Sequence, residues 1–126
     1  MAANKPFAFG PLALTTTLTT NIFNPGTTTG GVASTTAPYD KLFGLIRQIR
    51  VVNKTGTAAT FTLYKGATGA NAAGTELAVA QSVPANDYVE LVWPSGLRFD
   101  TADFLVGGAG AATALTIQGI GEIGVA

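Results

Sequence analysis

Cysteine and histidine are both absent from the 126 residues. Their absence removes disulfides, thiolate nucleophiles, thiolate metal sites and imidazole general bases. Charge is sparse, with 7 Lys and Arg balanced by 7 Asp and Glu. A neutral chain with no basic field has nothing to neutralise phosphates or anionic lipid, so neither nucleic acid nor a membrane is an expected partner. No apolar run approaches the roughly 18 residues that a membrane-spanning helix needs. The opening stretch MAANKPFAFGPLAL carries one Lys and a short apolar run broken by Gly10 and Pro11, with no convincing cleavage site, so no signal peptide is expected. Strong helix formers such as Glu, Lys, Gln and Met are scarce.

What remains is apolar and small: 47% of residues are hydrophobic, alanine among them, and Gly and Thr dominate the rest of the composition. That mixture favours strands and loops. The length suits one domain able to bury roughly 65 to 70% of its unfolded surface, and its stability must come from packing.

Residues 1 to about 16 place Phe7, Phe9, Leu12 and Leu14 among Pro and Gly without a sustained period, which predicts an extended N-terminal arm. TTLTTNIF (16 to 23) has strand propensity, NPGTTTGG (24 to 31) reads as a turn, and a strand then begins. The clearest period of two runs from 42 onward, where Leu45, Ile49 and Val51 share a face with Arg47, and in IRVVNKTGTAATFTLY (49 to 64) Phe61 and Leu63 alternate with Thr60, Thr62 and Tyr64. That stretch reads as a hairpin on NKTG. A loop at 66 to 74 leads to a strand with Leu77, Val79 and Val83, and VPAND turns the chain into YVELVW. PSG (94 to 96) turns it again, LRF and DFLVG form short strands, and ALTIQGIGEIGV closes the chain with Leu115, Ile117 and Ile123 on one face. The reading is all-β: one jelly-roll-like sandwich or barrel of about eight antiparallel strands at 17 to 126, preceded by the arm at 1 to 16.

Few motifs carry chemistry. GIGEIG (119 to 124) matches G-x-G-x-x-G, but a dinucleotide site needs a helix after those glycines and only two residues follow. The glycines are better read as room for a neighbouring backbone or a bulge. GAGAAT (108 to 113) fails similarly, because an alternating strand follows where a helix would be required. NKT (53 to 55) fits a glycosylation sequon, yet its expected role is the turn, with Asn53 bonding local backbone and Gly56 taking the unusual φ. Asp100 and Asp103 could share a calcium ion, with turn capping preferred. Glu76, Glu90 and Glu122 lie on separate strands with no companion base, so no enzyme and no cofactor are expected. Tyr39, Tyr64, Tyr88 and Trp93 could stack a sugar, though such residues usually serve as core and rim. Arg47 and Arg50 have opposite parity, so at least one faces outward, where its forked donors suit a partner's carboxylate.

Three stretches, IRQIRVVNKTGTAATFTLYKG, LAVAQSVPANDYVELVWPSGLRF and DFLVGGAGAATALTIQGIGEI, together resemble small virion proteins of tailed bacteriophages, in particular capsid decoration (cement) proteins. The match covers about 85 residues. In that group a strand ending Val-x-Asn leads to a Thr/Gly turn, a Phe-Thr-Leu-Tyr strand, a Val-Pro-Ala turn and a closing Gly-rich hairpin. The resemblance implies synthesis in the host cytoplasm, residence on the capsid surface, the major capsid protein as partner, and self-association as a dimer or trimer. Phe7, Phe9, Leu12 and Leu14 of the arm, with Arg50, are the expected contact residues. The rival expectations are a tail-fibre or baseplate domain that binds host glycan and a free carbohydrate-binding module.

Overall fold

The computed structural model describes residues 5–25, 42–100 and 102–125. Their eight strands are β1 (Lys5–Ala13), β2 (Asn21–Phe23), β3 (Leu42–Asn53), β4 (Ala59–Gly66), β5 (Glu76–Val83), β6 (Tyr88–Asp100), β7 (Phe104–Ala109) and β8 (Leu115–Val125). They form two four-stranded antiparallel sheets, ordered β1-β8-β3-β6 and β2-β7-β4-β5. The all-β sandwich is as expected, and its winding is jelly-roll-like. Strands pair as 1 with 8, 2 with 7, 3 with 6 and 4 with 5, as in a long antiparallel ribbon folded over on itself. The 3–8 and 4–7 pairings then join alternate ribbon segments into the two sheets.

The winding corrects the reading of residues 49 to 64. β3 and β4 lie in opposite sheets, so NKTG is a corner between layers and not a hairpin loop. Asn53 holds that corner. Its buried side chain donates to the carbonyls of Thr57 (2.9 Å) and Val83 (3.1 Å) and accepts from the Thr55 amide and hydroxyl. The side-chain nitrogen of the sequon is thus spent on structure. Gly56 stays outside the left-handed region, contrary to expectation, and a Cβ there would meet nothing within 4 Å. The Gly-rich connection from β7 to β8 also crosses between sheets, leaving β4–β5 as the consecutive pair that forms a hairpin among the described residues.

The N-terminal arm is not an arm. Residues 5 to 13 pair along β8, and Phe7, Phe9 and Leu14 belong to the common core. The reason is steric complementarity. Phe7 stands opposite Gly121 and Phe9 opposite Gly119, and the Phe9 ring fills the space that the missing side chain of Gly119 leaves on β8. A Cβ on Gly119 would strike the Phe9 ring, and one on Gly121 would strike the Leu45 carbonyl of β3. Phe23 stacks on both rings, with centroids 5.1 Å from Phe7 and 5.3 Å from Phe9, and meets Phe99 edge-on at 5.5 Å. Proline is tolerated in β1 because that strand lies at the sheet edge and bulges between Phe9 and Leu12.

Elsewhere the alternation places the core. Phe61, Leu63, Ile49, Val51, Leu115, Ile117 and Ile123 are buried, with Val89, Leu91 and Trp93 packed against them. β3 changes parity at a bulge between Ile46 and Gln48, so Gly44 and Ile46 face inward before it and Ile49 and Val51 after it. Leu45 and Arg47 therefore share the outer face, against the expected grouping of both with Ile49. PSG is not a turn: residues 93 to 96 form a wide bulge within β6, between the Gln48–Val92 and Ile46–Leu97 pairs. The turn at 24 to 31, the strand expected after it and Tyr39 fall wholly or largely outside the described residues.

Candidate functional site

The outer face of the β1-β8-β3-β6 sheet carries Arg47, Arg50, Glu90, Arg98 and Glu122 and three exposed large apolar side chains, Tyr88, Val92 and Ile120. Cross-strand register sorts its centre into rows. Gln118, Arg50 and Glu90 form one, Ala8, Ile120, Gln48 and Val92 the next, and Pro6, Glu122, Leu45 and Arg98 a third. Neighbours within a row, or diagonal to it, are close enough for side chains to meet.

The bulge at Arg47 brings both expected arginines onto this face. Arg47 sends Nε (2.9 Å) and Nη2 (2.6 Å) to Glu122 Oε2 and Nη1 to the Pro94 carbonyl (2.7 Å), bracing the β6 bulge. Arg50 sends Nε (2.9 Å) and Nη2 (2.7 Å) to Glu90 Oε2, which also accepts from Gln48. The Arg50 guanidinium lies 4.8 Å above the Tyr88 ring. These carboxylates and cations neutralise each other within the plane of the sheet. Both pairs are partly solvated, so each adds little stability, about 0 to 1 kcal/mol.

Between the paired charges the face is apolar and grooved. Ile120 (52% exposed) and Val92 (59%) project in one row, with Tyr88 (51%) two residues beyond Glu90. Two shallow grooves flank Ile120, because the β1 residues beside it that face outward, Pro6, Ala8 and Gly10, are small. One, of about 250 Å³, is bounded by Ala8, Gly10, Gln48, Arg50 and Gln118; the other, of about 590 Å³, by Pro6, Ala8, Arg47, Gly121 and Glu122. Exposed branched side chains beside open grooves are the anatomy of a protein contact.

Of the expected contact residues, Arg50 lies on this face and Leu12 is 40% exposed on the edge strand, whereas Phe7, Phe9 and Leu14 are core. Ile120 and Val92 were missed because an outward apolar side chain marks a contact only when its neighbours across the sheet are known, and those follow from the strand register. Of the aromatics considered for stacking a sugar, the three among the described residues do not form one platform. Trp93 packs on the core, Tyr88 lies on one sheet and Tyr64 on the other. Asp100 and Asp103 cap their turn: the Asp100 amide donates to Asp103 Oδ2 (2.9 Å), while Asp100 Oδ1 accepts from Arg98. The loop at 66 to 74 is largely a surface tip, whereas in the stretch from 107 to 113 residues 107 to 109 belong to buried β7, leaving 110 to 113 as the exposed tip. No group of three or more potential metal-ligating side chains occurs among the described residues. The chain matches no protein-family model, no curated protein and no solved structure.

Proposed function

We propose that this is a virion structural protein that binds the outer surface of an assembled phage capsid and bridges major capsid protein subunits. The observation that carries the reading is the grooved, charge-balanced sheet face: a surface built for contact with protein, on a sandwich whose buried polar side-chain atoms are all satisfied among the described residues. The sequence resemblance to decoration proteins supplies the setting. Correcting the arm changes where attachment lies. Two Phe side chains committed to the core cannot also reach a neighbouring subunit, so attachment falls to exposed surface. Individual contacts need not be strong, since many copies on a symmetric shell multiply weak binding through effective concentration.

The test is fractionation of particles from a preparation in which tails are absent. The protein should sediment with the heads and be released only when the shell is dismantled. Its loss from tailless heads, with retention on isolated tails, would overturn the assignment.

A further inference from the structure

Resting on the reading of the β1-β8-β3-β6 face as the capsid contact, we infer that the groove beside Gln118 is a socket for an uncharged amide, an Asn or Gln side chain of the major capsid protein. Gln118 is then the residue that sets the specificity of the contact.

The recess is built into the backbone. It holds about 250 Å³ over β1 and β8, with Ala8 and Gly10 on one side and Gln48, Arg50 and Gln118 on the other. That is below the roughly 300 to 1,000 Å³ of small-molecule pockets and suits a single side chain. Gly10 has a left-handed φ of 78°, and a Cβ there would strike the Ile117 carbonyl, so a larger residue at this position is strained.

The polar wall has hydrogen-bonding capacity that the chain does not use. Gln118 is half-buried and makes no hydrogen bond among the described residues. Arg50 spends Nε and Nη2 on Glu90 Oε2, which leaves Nη1, and Gln48 spends Nε2 on the same oxygen, which leaves its carbonyl. Donors and acceptors therefore stand side by side. An incoming amide engages both groups of Gln118 at once, whereas an ionised carboxylate has no proton to donate. Once the shell covers the groove, an unanswered Gln118 loses its water without compensation, so the contact must supply a complement.

Two other occupants fit less well. A carboxylate would approach Arg50, but Glu90 already neutralises that guanidinium and would stand beside the incoming charge. A sugar ring needs an open aromatic face. Tyr88 and Phe43, the rings of this sheet outside the core, each lie under a guanidinium, Arg50 at 4.8 Å and Arg98 at 4.4 Å.

Binding to tailless heads tests the socket, with melting temperature as the check on folding. Gln118→Leu is similar in size and lacks the hydrogen bonds, so it should weaken binding about fivefold; a purely apolar contact would tighten instead. Gln118→Arg should also weaken binding, and tightening would place a carboxylate in the groove and overturn the amide. Ala8→Leu fills the recess from an exposed position on the edge strand and should weaken binding with Gln118 intact, which keeps the inference refutable should a Gln118 variant fold poorly. Unchanged or tighter binding by Gln118→Leu or by Ala8→Leu would overturn the socket and leave the capsid role standing. A wild type that fails to bind heads would overturn both.

Discussion

Gly119 shows how a residue without a side chain can specify a neighbour. The Phe9 ring occupies the place of its Cβ, so Gly119→Ala forces ring or strand to move and should cost about 1 to 3 kcal/mol, the usual penalty of overpacking. Gly56 is the control. With open space around it and no left-handed φ, Gly56→Ala should fall within about 0.5 kcal/mol of the wild type. Equal shifts in denaturant midpoint for the two variants would refute the packing account. Thr62 and Leu63 form a second contrast. Leu63 is fully buried, and its truncation to Ala should cost about 2 to 5 kcal/mol. Thr62 points to the other face, but its hydroxyl accepts the Ala80 amide at 3.0 Å where β5 bulges, so Thr62→Ala should cost about 1 to 2 kcal/mol and not the near-zero of a solvated threonine.

At the scale of elements, period-two alternation made the strands and the inward faces of β4 and β6 legible, because burial imposes that alternation whatever the strand's partner. Partners were not legible for the same reason. An arch such as β3–β4 and a hairpin such as β4–β5 produce the same local pattern, and only the Asn53 contacts across the layers distinguish them. The parity change at Arg47 was equally hidden, since a bulge adds one residue without a sequence mark of its own. For β1 a signal did exist: FAF at 7 to 9 and GIG at 119 to 121 are complementary at matching spacing. Proline and glycine in the same stretch masked it by lowering strand propensity. The contact face was only half legible, through Arg50, because surface apolar positions follow from the fold.

Removal of residues 1 to 14 tests β1 as an element. It strips Phe7, Phe9 and Leu14 from the core, each contributing about 1.5 to 3 kcal/mol by burial, and opens the edge of β8. That sum is comparable to the whole stability of a typical domain, about 5 to 15 kcal/mol. The truncated chain should be largely unfolded by circular dichroism at 25 °C. A truncated chain that melts like the full one would return these residues to the status of a free arm.

For the whole molecule, neutrality shapes behaviour. The ion pairs on the sheet face close within the chain, leaving few exposed charges for a partner to screen or attract, so occupancy on purified capsids should change little between low and moderately high salt. A jelly-roll-like sandwich held together without disulfides is compatible with the mechanical role proposed for it. Bridging adjacent subunits raises the stability of a shell because the bound copies favour the assembled state over the dissociated one by mass action. The measurement that bears most directly on this account is the heat-induced disassembly of capsids lacking the protein, followed by light scattering as purified protein is added back. The disassembly midpoint should rise with added protein and reach a plateau at a fixed ratio of protein to capsid subunits. A midpoint that stays constant while the protein saturates the shell, or a protein that fails to bind the shell at all, would contradict it.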